Sequence, residues 1–206
     1  MSPSAEPVPA VTLLDVSEGV LEELLELALG DADADEVTPP LGSTPGWNTD
    51  RISWFREFHR ASAAGLDGPA GQKSWAISCD GQLAGSVRLR RTGPEAVEAV
   101  DGGAGVGAGA VARGGGGADA DAGVGGGALE TGIWLARSFR GRGVGREALR
   151  LVKALAASAG ATVLVAETTA GNVGALALLK SAGAELETGA ASETETVPVK
   201  GEIPLA

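Results

Sequence analysis

The chain has 206 residues, enough for one domain with a core of its own. Its 16 basic and 27 acidic residues leave a net charge of −11, which argues against nucleic acid as the main partner. A single cysteine, Cys79, excludes a disulfide framework and a cysteine-based metal site, and no metal is expected.

The opening MSPSAEPVPA has neither the basic region nor the apolar core of a signal peptide, and no long apolar run follows to span a bilayer. A cytoplasmic location is the expectation. Residues 1–10 are rich in Pro and Ser and are expected to be disordered, with a single domain over 11–206. Val11–Leu14 reads as a short strand. Asp15 then precedes a helix, with Glu18 at capping-box spacing and Leu21, Leu24, Leu25 and Ala28 as its apolar stripe. Gly30 closes it, and 31–50 reads as loop, with Pro39-Pro40 and Pro45-Gly46. A second helix is expected from Thr49 or Asp50 to Ala64, stopped by Gly65. Ile52, Phe55, Phe58 and Ala61 share one face, with Trp54 and His59 beside it. Trp75–Cys79 and Leu83–Leu89 are strands joined by Asp80-Gly81, a hairpin signal. In the second of them Val87 and Leu89 alternate with Ser86, Arg88 and Arg90.

Residues 93–128 break the pattern. Within Gly102–Gly127, 13 of 26 residues are Gly and none is aromatic, too little apolar surface to offset the chain entropy of ordering. The segment reads as a flexible Gly/Ala-rich insertion between two strands of one sheet. Its Gly-x-Gly spacings lack a preceding strand and a following helix.

The densest pattern runs from Glu130 to Ala184. An apolar strand, Gly132–Ala136, meets Arg140-Gly141-Arg142-Gly143-Val144-Gly145-Arg146, and a helix follows to Gly160. Thr162–Ala166 is a β-branched strand, and Asn172 opens a second helix that stops at Gly183. Glycines after a strand let the backbone turn tightly and approach a ligand. The following helix start offers unpaired N–H groups and the positive end of its dipole. Together with three arginines they make a seat for an anion carrying more than one phosphate. A P-loop is excluded, since no Gly-x-x-x-x-Gly-Lys-Ser/Thr run exists. A dinucleotide fingerprint counted from Gly141 would place Arg146 where its third glycine belongs, with Glu167 as the nearest ribose-binding acid. A Rossmann-like nucleotide binder stays open on these grounds.

Arg140-x-x-Gly143-x-Gly145 resembles the Arg/Gln-x-x-Gly-x-Gly/Ala motif of the GNAT superfamily of acyl-CoA-dependent N-acetyltransferases. Asn172-x-x-Ala175, followed by Leu178-Leu179-Lys180-Ser181-Ala182-Gly183, resembles the family's next helix. The order and spacing agree, and the tight match covers about residues 130–184. The Gly-Ile-Trp-Leu-Ala strand is most similar to the branch containing ribosomal-protein N-terminal acetyltransferases. The resemblance implies an α/β (α+β) fold: a mixed, mostly antiparallel central sheet flanked by helices, with a splayed central strand pair and a closing hairpin within 185–206.

It also implies a site. Acetyl-CoA, as acyl-donor cosubstrate, would lie against Leu135, Ala136, Arg137, Arg140, Gly141, Arg142, Gly143, Val144, Gly145, Arg146, Asn172 and Ala175. Its pantetheine arm would pair with the splayed strand, and a backbone N–H near Leu135 would meet the developing oxyanion. Glu130 is the candidate base, with Glu167 as the runner-up. Trp47, Trp54 and His59 are candidate acceptor contacts, but the simpler reading, and the preferred one, is core aromatics with a surface or hydrogen-bonded histidine. Many relatives carry a tyrosine as general acid where this chain has Leu179, and the chain contains no tyrosine. Cys79 and Ser181 are possible substitutes. A thiolate with a pKa near 8.5 needs little help to leave. The expected activity is acetyl transfer to a primary amine in a ternary complex. The acceptor is a small molecule or a protein N-terminus, the acidic surface suiting a cationic one, and the enzyme a monomer or homodimer. A non-catalytic acyl-CoA sensor is the alternative that the missing tyrosine keeps open.

Overall fold

The computed structural model describes residues 9–92, 127–189 and 197–205. The expectation for the first ten residues falls almost wholly outside these, as does that for the insertion at 93–128 up to its last two residues.

Seven strands form one sheet: β1 (Val11–Asp15), β2 (Gln72–Cys79), β3 (Gln82–Arg91), β4 (Ala128–Leu135), β5 (Val163–Thr169), β6 (Glu185–Thr188) and β7 (Pro198–Pro204). Their order is β1-β2-β3-β4-β5-β7-β6. Every neighbouring pair is antiparallel except β4 with β5. The helices are α1 (Glu18–Asp31), α2 (Ala34–Val37), α3 (Thr49–Ala61), α4 (Val144–Ser158) and α5 (Val173–Ser181). This is the mixed, mostly antiparallel fold that the family resemblance implies.

The two faces of the sheet have different cores. On one, Val87 and Leu89 of β3, Leu129 of β4 and Leu164 of β5 pack with Val144, Ala148, Leu149 and Val152 of α4 and Leu179 of α5. On the other, Leu21, Leu24, Leu25 and Ala28 of α1 meet Phe55 of α3, Ala76 of β2 and Trp134 of β4. The α1 stripe is the expected one. On α3 the buried face is Arg51, Phe55 and His59 rather than Ile52, Phe55, Phe58 and Ala61, because the helix turns its Phe55–His59 edge to the sheet and leaves Ala61 exposed. The polar positions of β3 do not face water. Ser86 and Arg88 are buried on the α1–α3 side.

Several boundaries differ from expectation for physical reasons. Asp15 does not cap α1, because it is still paired to Trp75 in the sheet; Ser17 caps instead, accepting from the Val20 N–H at 3.3 Å. Glu18 makes an ion pair with Arg60. Asp33–Glu36 opens a short helical turn inside the expected loop. β4 begins at Ala128, four residues early, because Ala128–Thr131 pairs with Val163–Ala166. At the C-terminal end the closing hairpin expected within 185–206 is formed by β6 and β7.

Asp80 and Gly81 both take positive φ, 51° and 83°, as a type I′ hairpin turn requires. Near its start β3 carries a bulge: Ile77 faces Gly85 while Ser78 faces Leu83. Gly85 has φ +152°, and a Cβ there would sit 2.1 Å from the Trp134 carbonyl oxygen. Only glycine lets β3 and β4 close at this point. Among the described residues, no helix is long and apolar enough to cross a membrane.

Candidate active site

The site begins where β4 and β5 part. Their pairing stops at Thr131 with Ala166, although β4 runs on to Leu135 and β5 to Thr169. β4 stays on β3 through Leu135, and β5 stays on β7 through Thr169. The edge of β4 over Gly132–Leu135 is therefore open. A strand residue turns its N–H and C=O to the same side. The Ala136 N–H is spent on the Ala84 carbonyl, at 2.9 Å, towards β3. Leu135 and Ile133 thus present their backbone groups to the gap.

The glycine turn closes one end of this gap. Gly141 and Gly143 take φ +72° and +82°, and α4 starts directly after them without a side-chain cap. The first α4 bond runs from the Glu147 N–H to the Gly143 carbonyl, so the N–H groups of Val144, Gly145 and Arg146 stand outside the helical ladder. α5 closes the other side. Its cap is Asn172, whose Oδ1 accepts from the Ala175 N–H at 3.0 Å.

Between these elements lies a cleft of about 520 Å³. Leu135, Arg140, Gly141, Gly143, Gly145, Arg146, Asn172 and Ala175 line it, together with Glu36, Leu178 and Ser181. Four other residues named from the sequence stand back from it. Ala136 and Val144 are core residues with no exposed surface. Arg137 pairs with Asp33, and Arg142 lies over the Phe139 ring, 5.3 Å from its centre. Arg140 donates through Nε to the Leu135 carbonyl at 3.0 Å and grips Glu36 with both terminal nitrogens. Leu179, where relatives carry tyrosine, points into the core, whereas Ser181 lies on the cleft.

A second, smaller cavity of about 30 Å³ lies on the other face of β4. Trp54, Phe55, Phe58 and Trp134 wall it with rings, and His59, Ser86, Arg88 and Glu36 supply its polar groups. Trp54 stacks on Phe58, with ring centres 4.9 Å apart. Trp47 is not on this cavity; its Nε1 donates to the Ala32 carbonyl and its ring meets Phe55 edge-on.

His59 is buried, with Nδ1 3.0 Å from Ser74 Oγ. Burial pushes its pKa from the usual 6.5 down to about 4. The fold thus keeps His59 neutral where the unfolded chain takes up a proton. Its contribution to stability is full above pH ~6.5 and is lost as pH falls from there to pH ~4, by roughly 1.4 kcal/mol per unit and about 3 kcal/mol in all. Urea midpoints measured across this range should show that slope in the parent and not in His59→Gln.

Glu130, within β4, lines neither cavity. One carboxylate oxygen accepts from Arg88 at 2.6 Å and the other from Arg90. Arg88 is almost wholly buried, which pushes its pKa down against the opposing pull of Glu130. Glu167 is exposed on β5 and lines neither cavity. Cys79 is buried, and burial followed by the Asp80 carboxylate raises its pKa, the opposite of an activated thiolate. The residues that sequence reasoning missed are Glu36, Ser86 and Arg88. Glu36 sits three residues after Asp33, the spacing of a helix start, but a four-residue turn is too short to show a period.

Comparison with curated proteins returns no match. Solved structures do match across almost the whole chain. The ribosomal L7/L12 α-N-protein acetyltransferase RimL, in complex with coenzyme A, superposes with a TM-score of 0.64 at 16% identity, covering 97% of each chain. An acetyltransferase from Salmonella typhimurium that modifies the N-terminal serine of L7/L12 gives 0.62 at 16% identity, over 97% of this chain and 98% of that one. The yncA protein of Salmonella typhimurium, solved with its cofactor acetyl-CoA, gives 0.56 at 15% identity, over 96% and 95%. At these identities the likeness is one of fold. The sequence profile of the acetyltransferase (GNAT) family matches residues 44–184, more than half of the chain and all of the glycine turn, and the chain belongs to that family.

Proposed function

We propose that the protein transfers an acetyl group from acetyl-CoA to a primary amine, both substrates being bound together. The observation that carries this reading is the open β4 edge running directly into the uncapped start of α4. Three free N–H groups, the helix dipole, Arg140 and Arg146 form a seat for a diphosphate. The backbone groups of Ile133 and Leu135 suit the amides of a pantetheine arm. The Leu135 N–H is then a donor for the oxyanion that develops on the thioester carbonyl. A cleft of about 520 Å³ has room for such an arm and its phosphates.

The acceptor enters from the other face of β4. The cavity there holds little more than two water-sized groups, so it admits a slender amine end and leaves the body of the acceptor outside. Its ring walls favour a cation, as does the net charge of −11. A protein N-terminus, the acceptor of the RimL neighbours, and a polyamine both meet these terms.

Calorimetric titration with acetyl-CoA, with NADH as control, tests the reading. Binding is expected near micromolar, about −8 kcal/mol, for acetyl-CoA alone. A Cβ on Gly145 would touch Leu135 and Leu178 at 3.4 and 3.5 Å, so the branches of valine would crowd this wall of the cleft. Gly145→Val should weaken acetyl-CoA at least tenfold. A Rossmann-like nucleotide binder is already set aside by the sheet, in which β4 with β5 is the one parallel pair among the described strands, so NADH serves only as a control for non-specific nucleotide binding. Acetyl-CoA binding without turnover of any amine would favour the sensor.

A further inference from the structure

Resting on the acyl-transfer reading, we infer that Glu36 is the catalytic base, and that Arg140 holds it away from the amine until the cofactor's diphosphate arrives. Three residues line both the large cleft and the small aromatic cavity: Glu36, Ile133 and Trp134. The last two belong to β4, past which the acetyl group must travel. Glu36 is the one carboxylate at that junction among the described residues. Glu130 and Glu167 line neither space, and both oxygens of Glu130 are already taken by guanidinium groups.

Glu36 is held by Arg140, the arginine of the phosphate turn, with Nη1 on one oxygen at 3.1 Å and Nη2 on the other. Arg140 lines the phosphate end of the cleft, so a diphosphate bound there competes for the same guanidinium. Arg140 that turns to the diphosphate frees the Glu36 carboxylate for the ammonium in the adjacent cavity. The charged and titratable groups around Glu36 are Arg140 and Arg137 at the turn, Arg146 on α4, Arg88 on β3, His59 on α3, and Asp33 and Asp35 beside it on its own segment. His59 lines the small cavity alone and has Nδ1 on Ser74 Oγ at 3.0 Å, whereas Glu36 reaches both spaces.

The step balances. The acceptor enters as R–NH₃⁺ and gives one proton to the Glu36 carboxylate. Its nitrogen lone pair attacks the thioester carbon, the new C–N bond forms, and the carbonyl π electrons move to oxygen. They return as the C–S bond breaks. The leaving thiolate takes the second proton, which the nitrogen sheds on becoming an amide, and Glu36 passes the first to water.

The test uses the full chain, acetyl-CoA, and three amines: spermidine, kanamycin and a hexapeptide with N-terminal serine. Glu36→Gln should bind acetyl-CoA as tightly as the parent or up to tenfold more tightly, because Arg140 is no longer neutralised. Turnover of the amine best used by the parent should fall at least a hundredfold. The rate left in the variant should climb tenfold per pH unit towards the amine's own pKa, since only free base then reacts, while the parent stays level over that range. Glu36→Asp should recover part of the rate. Full turnover by Glu36→Gln, or a flat pH profile, overturns the inference, as does loss of turnover in Glu130→Gln with Glu36→Gln intact. A parent that binds acetyl-CoA and acetylates none of the three amines overturns the acyl-transfer reading itself, and the base falls with it.

Discussion

Gly85→Ala is expected to cost more than about 4 kcal/mol, the range reserved for changes that the fold cannot absorb. The added carbon would lie 2.1 Å from the Trp134 carbonyl oxygen and 2.9 Å from the Leu135 Cα, both of them backbone atoms. Backbone at this depth moves only if β3 and β4 separate. The φ of +152° adds strain for any side chain. Because Trp134 and Leu135 also form the open edge, the damage falls on the site as well as the core. Urea denaturation reads the loss directly, and the acetyl-CoA titration reads its local part. A cost below about 1 kcal/mol would mean that β3 and β4 are not in this register.

Glu130→Ala comes next, at roughly 3–5 kcal/mol. Removing the carboxylate strands the Arg88 guanidinium, whose side chain is only 6% exposed, without a countercharge. Arg90 is less affected, since a third of its side chain reaches solvent. The large penalty comes from the charge left behind rather than from the pair itself. Replacing both partners, Arg88→Met with Glu130→Met, is therefore expected to recover most of the loss. Urea midpoints for the single and double variants give the comparison. A double variant as unstable as the single one would show that the stability comes from the pair and not from the burial.

Much of this was legible before any coordinates. The Gly141–Gly145 turn announces itself because only glycine takes the left-handed backbone there, and a strand must precede it. Asn172 and Gly183 mark α5 by capping chemistry alone. The parting of β4 from β5 came only through a family resemblance, since strand pairing is not written in either strand. Glu36 and Arg88 were hidden for different reasons. Glu36 belongs to a turn too short for periodicity, and its importance comes from meeting Arg140, 104 residues away. Arg88 sits on the polar side of an alternating strand, which ordinarily means solvent; α3 covers it, and one strand's pattern cannot report what lies above it.

The seam between β4 and β5 has a mechanical meaning. Two blocks of sheet, β1–β4 and β5–β7, are stitched along one row of rungs between Ala128–Thr131 and Val163–Ala166. Below that row they are free of each other, like a zip half drawn. Under the proposed reading an extended donor in the gap would act as the slider: its amides would supply the missing rungs, and each rung would tie one block to the other. The protein would then be stiffest with its donor bound. Amides flanking the seam should exchange with solvent most slowly in that state and fastest once the donor has left.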